Sequence, residues 1–177
     1  LARARLMGAD LERVGVSGIF ERAWELAENK DMIGRTHFAR ALVDKGVVKS
    51  VGKAFERFLV SGKPGYVPHA WATLDHAVQW IAGAGGIAVV AHPGRYRLTP
   101  AEMRIFLADF KAAGGRGLEV VTGSHQSHHY REYAGLAREF GLLASRGADF
   151  HGVGESQFLP GELPPLPAGV EPVWTVF

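Results

Sequence analysis

Up to about residue 70, apolar positions recur three and four apart, the spacing of one helix face. Leu1-Ala-Arg-Ala-Arg-Leu-Met7 reads as a helix already running at the first residue, which predicts that the chain starts inside a larger protein. After Gly8, Asp10–Val14 reads as a separate turn. Ser17 is placed to cap a helix through Ile19, Phe20, Ala23, Trp24 and Ala27. Thr36 is placed to cap the next, His37–Val43, which Gly46 ends. Ser50 opens a third, with Val51, Ala54, Phe55, Phe58 and Leu59 on one face and Gly62 behind it. Lys63-Pro-Gly-Tyr-Val-Pro68 is then rich in turn formers.

From Thr73 on, helical periods alternate with short apolar runs. Thr73 caps a helix through Leu74, Ala77, Val78 and Ile81, and the run Ile87–Ala91 follows, too short for a helix and expected to be a strand buried on both faces. Thr99-Pro-Ala-Glu102 is a capping box with proline at the first helical position. Its helix carries Met103, Phe106, Leu107 and Phe110 and stops at Gly114-Gly115. Gly117–Val121 is the second strand. A helix through Tyr130, Tyr133, Leu136, Ala137 and Phe140 ends at Gly141, and Leu142–Ser145 is the third strand. Val173–Phe177 is expected to be a last strand. Alternation of this kind predicts an α/β fold with a parallel sheet, for which a closed barrel is one option.

Composition changes this picture little. The 177 residues are 47% hydrophobic and carry a net charge of +2, a weak pull on polyanions. The absence of cysteine excludes disulfides and thiolate ligands and fits a cytoplasmic location. No apolar run approaches the roughly 18 residues of a membrane span. Arg35, Arg40, Lys45, Lys49, Lys53, Arg57 and Lys63 allow two readings, a nucleic-acid-binding helical module or a solvated face. The solvated face is the reading taken, because no element is strongly basic.

Chemistry gathers where strands end. The first strand delivers His92 before Pro93-Gly94. The second carries Glu119 and leads to His125. The third leads to Asp149 and His151. In a parallel sheet these ends share one edge. An extended Asp149-x-His151 would point both side chains one way and turn Phe150 towards the core. Two imidazoles and a carboxylate suit Zn²⁺, Mn²⁺ or Fe²⁺, although a core histidine beside a turn would equally explain His92. Glu119 between apolar neighbours is either a group orienting a metal ligand or half of an ion pair. His37 and Arg40 lie three apart on one helix face. Arg95, with Arg97, follows the His-Pro-Gly turn and can meet a phosphate. His125 can reach the same site or face solvent.

Ala91-His92-Pro93-Gly94, Gly117-Leu118-Glu119-Val120 and Gly147-Ala148-Asp149-Phe150-His151 resemble the later motifs of the polymerase and histidinol phosphatase (PHP) family of metallophosphoesterases. Thr36–Val43 and Gly62–Pro68 are similar to the branch that dephosphorylates nucleoside 3′,5′-bisphosphates and trims RNA from its 5′ end. The resemblance implies the C-terminal portion of a distorted seven-stranded barrel over residues 71–177, with residues 1–70 as a helical insertion overhanging its mouth. It implies a nucleotide or short RNA substrate and two or three divalent metals in the intact protein, with Mn²⁺ first and Zn²⁺, Fe²⁺ or Mg²⁺ as alternatives. It makes His92, Asp149 and His151 metal ligands and sets His37, Arg40 and Lys63 against substrate phosphates. Two departures stand out. Ala148 replaces the usual serine, and the family's early His-x-His pair, aspartate, histidine and bridging glutamate are absent, no His-x-His occurring anywhere in the chain. The expectation is a C-terminal part that binds metal poorly alone and needs the N-terminal part of the same barrel. The rival readings are a phosphatase of another small ester, a non-catalytic nucleic-acid-binding module and an inactive remnant.

Overall fold

Glycines decide several helix boundaries in the first seventy residues. The computed structural model describes residues 1–176, and its contacts divide the chain into two units, one of Leu1–Ala70 and one from Trp71 on. The first unit holds α1 (Ala2–Arg13), α2 (Ile19–Leu26), α3 (Arg35–Asp44) and α4 (Val51–Ala54), the last running into a π-helical turn at Phe55–Leu59. Its core contains Met7, Leu11, Ile19, Phe38, Leu42 and Leu59, all fully buried. The break expected at Gly8 does not occur. A Cβ on this buried glycine would lie 2.7 Å from the Phe20 Cβ, so Gly8 admits a close neighbour within one continuous helix. Ser17 does not cap α2, because the left-handed Gly18 turns the chain into it. Thr36 lies inside α3, which starts at Arg35 behind Gly34. Ser50 caps as expected, its Oγ accepting the Lys53 N–H at 3.3 Å.

The second unit is mixed α/β. It contains α5 (Leu74–Gly83), β1 (Val89–Val90), α6 (Pro100–Ala112), β2 (Gly117–Thr122), α7 (Ser127–Phe140) and β3 (Leu143–Gly147). The three strands form a parallel sheet in the order β1-β2-β3, with Val89 opposite Gly117 and Gly117 opposite Leu143. Helices linking successive parallel strands are the crossovers such a sheet requires. Apolar positions of α6 and α7 (Met103, Leu107, Phe110, Leu136) join Leu118 and Ala144 in one core. No helix among the described residues is long and apolar enough to cross a membrane.

Two strand expectations need correction. β1 covers two residues of the expected five and is an edge strand with Val89 only half-buried, because a left-handed His92 (φ 33°) and its 3₁₀ turn end it. Val173–Val176 is a 3₁₀ turn, and Phe177 lies outside the described residues. A single parallel bridge joins Ala144 to Pro172; proline has no N–H with which to extend a ladder.

The Thr99 box forms in full. Thr99 Oγ1 accepts the Glu102 N–H at 3.3 Å, and Glu102 Oε2 accepts the Thr99 N–H at 2.7 Å. Thr99→Ala is therefore expected to lower the unfolding free energy by about 1 kcal/mol, read from the urea midpoint at unchanged slope.

Candidate functional site

At the C-terminal ends of β1 and β3 the backbone does something unusual twice. His92 and Asp149 are the two non-glycine residues with positive φ among those described, at 33° and 53°. Left-handed backbone disfavours side chains bearing a Cβ, so such residues persist only where their surroundings hold them. Both follow parallel strands that flank β2, so their turns leave the sheet at the same edge.

Each turn is held by named partners. The His92 N–H donates to Glu119 Oε2 at 2.6 Å, while His92 Nδ1 is buried with no hydrogen-bond partner. Burial pushes the Glu119 carboxyl above the usual carboxylate range, against the opposing pull of the His92 N–H. On the other turn, His151 Nδ1 lies 2.7 Å from the Asp149 carbonyl oxygen. A carbonyl can only accept, so this nitrogen carries a proton. The His151 N–H donates to Ser156 Oγ at 2.7 Å, and Arg95 pairs with the Asp149 carboxylate at 3.6 Å.

The extended geometry expected for Asp149-x-His151 is absent. β3 stops at Gly147 and Asp149 is left-handed, so period-two alternation no longer applies, and Phe150 is 41% exposed instead of turned to the core. Nor are His92, Asp149 and His151 drawn into mutual ligand distance. Among the described residues, the one trio whose ligand atoms all lie within 4.8 Å of one another is His128, His129 and Glu132 in the first turns of α7. His129 Nδ1 is already accepting the Gln126 N–H at 3.1 Å. The i, i+4 spacing of His128 and Glu132 made that pair legible in the sequence. Ser156 had no sequence signal.

His125 does something other than meet a phosphate. It is 5% exposed, Nε2 accepts the Gly94 N–H at 3.0 Å, and Nδ1 lies 3.1 Å from the Val120 carbonyl oxygen, so both ring nitrogens are used. Burial lowers its pKa from the ordinary 6.5, and that of His129 likewise. A histidine held neutral stabilises fully above its unfolded pKa and less as pH falls through the folded one. Stability should therefore fall on acidification below about pH 6.5, and His125→Gln should flatten that fall in urea titrations at successive pH values.

In the first unit, His37 Nδ1 accepts the Gly34 N–H at 3.2 Å, closing the start of α3. Arg40, one turn along, is half-buried, and Lys63 is exposed.

The chain is 49% identical over 98% of its length to a 3′,5′-nucleoside bisphosphate phosphatase of Chromobacterium violaceum, covering 61% of that protein. It is 38% identical over 99% of its length to the 5′-3′ exoribonuclease Rnm of Escherichia coli, covering 59% of it. The chain is homologous to both. It thus spans about three fifths of the curated relatives it matches. No family model matches it. Among solved structures it aligns with an amidohydrolase from Chromobacterium violaceum that holds sulfate and no metal, at TM-score 0.92 and 48% identity over 99% of this chain and 61% of that one. It also aligns with a protein from Bifidobacterium adolescentis assigned as a metal-dependent phosphoesterase, at TM-score 0.76 and 27% identity over 99% of this chain and 60% of that one. These relatives agree with the PHP resemblance carried by the motifs.

Proposed function

We propose that the chain is part of a PHP-type phosphoesterase that hydrolyses phosphate esters of nucleotides, namely 3′,5′-bisphosphates or RNA 5′ ends. The observation that carries this reading is the pair of strained turns at His92 and Asp149, on strands whose ends share one sheet edge. Strain of this kind is held in place at ligand clamps more often than elsewhere.

The donor types at the two turns, though not yet their mutual distances, fit a divalent metal. His92 Nδ1 is buried without a partner, and His151 brings a second imidazole from the turn that carries Asp149. Asp149 supplies the anionic oxygen. Imidazole with carboxylate suits Mn²⁺, the ion favoured here, and also Zn²⁺ or Fe²⁺. When bound, such an ion supplies hydroxide from water near neutral pH and offsets charge on a phosphoryl oxygen.

The rest is done by the chain's own groups. Glu119 holds the His92 backbone, which fixes where its ring is presented. Arg95, exposed and already paired with Asp149, has guanidinium donors left for a phosphate oxygen. His37, Arg40 and Lys63 are assigned to the second phosphate. Residues 1–70 then form the helical insertion and residues from 71 on form part of a distorted barrel. The remaining metal ligands are assigned to the portion of the relatives that this chain does not span, and the setting is cytoplasmic.

The test uses the full-length protein as encoded, with Mn²⁺ added, against adenosine 3′,5′-bisphosphate and a 5′-phosphorylated oligoribonucleotide. Inorganic phosphate from the first, or nucleotides released from the 5′ end of the second, is the expected result. No release from either with Mn²⁺, Zn²⁺, Fe²⁺ or Mg²⁺ overturns the reading.

A further inference from the structure

β2 carries an irregularity with a purpose. Glu119 faces Ser145 and Val121 faces Arg146, so Val120 is an extra residue out of register with β3. A bulged residue leaves the ladder, and a buried carbonyl that leaves it needs another donor. The Val120 carbonyl finds one in His125 Nδ1, at 3.1 Å. The other nitrogen of the same ring, Nε2, accepts the Gly94 N–H at 3.0 Å. Gly94 is two residues beyond His92, in the 3₁₀ turn that His92 opens.

The ring is also fixed from its flanks. It stacks on Tyr133 of α7, centroids 4.9 Å apart and 23° between planes, and meets His129 edge-on at 5.2 Å. The approach to Gly94 leaves no space for a side chain there: a Cβ would lie 2.8 Å from His125 Cδ2 and 2.9 Å from Nε2. A ring clamped at two nitrogens and on its faces cannot follow a ligand. It can hold a backbone still.

We infer that His125 is a positioning residue that ties the bulge of β2, through Gly94, to the left-handed turn presenting His92. The inference rests on the reading of His92 as a metal ligand, and it assigns His125 no contact with metal or substrate. His92 is thereby gripped at two points of one turn, by Glu119 on its own N–H and by His125 on the N–H of Gly94. Groups that orient a ligand in this way commonly change metal affinity ten- to a hundredfold when removed.

The variants are chosen for shape. His125→Phe keeps a ring against Tyr133 and loses both hydrogen bonds. His125→Gln replaces the ring with an amide that has one acceptor for Gly94 and one donor for Val120. In the full-length protein as encoded, Mn²⁺ titration should show the dissociation constant rising about tenfold or more in His125→Phe and returning to within about threefold of the parent in His125→Gln. An unchanged constant in His125→Phe overturns the inference, and so does equal weakening in two variants that both retain the parent's circular dichroism. Should His125→Phe fail to fold, hydrogen exchange on the unsubstituted protein decides. The Gly94 amide is expected to be protected and the ¹⁵N spectrum to show His125 protonated at Nδ1 alone; a fast-exchanging Gly94 amide or the opposite tautomer overturns it. A protein that binds no Mn²⁺, or binds it equally after His92→Ala, sinks the metal reading instead and leaves the exchange result to judge the strut.

Discussion

Asp149→Asn is expected to fold like the parent and to lose phosphoesterase activity by about a thousandfold, the equivalent of a few kcal/mol of transition-state charge stabilisation. Asparagine is nearly isosteric with aspartate and is one of the few residues that tolerates the left-handed region, so the turn at φ 53° survives. What disappears is the negative charge. It pairs with Arg95 at 3.6 Å and, on the proposed function, would also meet a cation held with His151. The exposed Arg95 pair is worth little to stability, so unfolding midpoints should agree within a degree or two. Asp149→Gly makes the complementary case: it removes the left-handed penalty and the carboxylate together, and is expected to be inactive without being less stable. The measurement is kcat on adenosine 3′,5′-bisphosphate beside thermal unfolding of each variant. Retention of a tenth of the parent activity by Asp149→Asn would show that Asp149 is no ligand.

Local signals read true where local chemistry decides. Thr73, Thr99 and Ser50 cap the helices that follow them, because a cap is a hydrogen bond spanning three residues. The three strand positions in the second unit were also visible, as apolar runs between glycines. The misreadings arose where something distant in sequence intervened. Gly8 looks like a helix breaker until Phe20 is set against it. Asp149 and His151 look like alternating strand positions until the left-handed backbone removes the alternation. His125 looks like a loop histidine free to reach substrate. The bulge at Val120 and the amide of Gly94, which employ both its nitrogens, are separated from each other by 26 residues and meet only in the fold. A sequence names the donors of a site more readily than it shows which of them are already occupied.

Gly123 offers the sharpest test of how tightly the two turns are built together. Its backbone φ is not positive, so nothing in the Ramachandran sense forbids alanine. Space does. An added Cβ would overlap the Ala148 carbonyl oxygen, and Phe158 closes another side. The obstructing atom is backbone and cannot swing away as a side-chain tip could. Gly123→Ala must push the β2 exit away from the segment that enters Asp149 one residue later. Overpacking of this kind costs about 1–3 kcal/mol, and a shift of roughly 1 Å in a positioned group can cost 10²-fold in rate. The expected result is a clear fall in unfolding midpoint together with an activity loss of about two orders of magnitude. Gly135→Ala is the contrast. That glycine sits inside α7 with no atom within 4 Å of its added Cβ, so alanine should raise stability by roughly 0.5–1 kcal/mol. If Gly123→Ala behaves like Gly135→Ala, the β2 exit and the Asp149 turn do not touch as described, and the candidate site loses its frame.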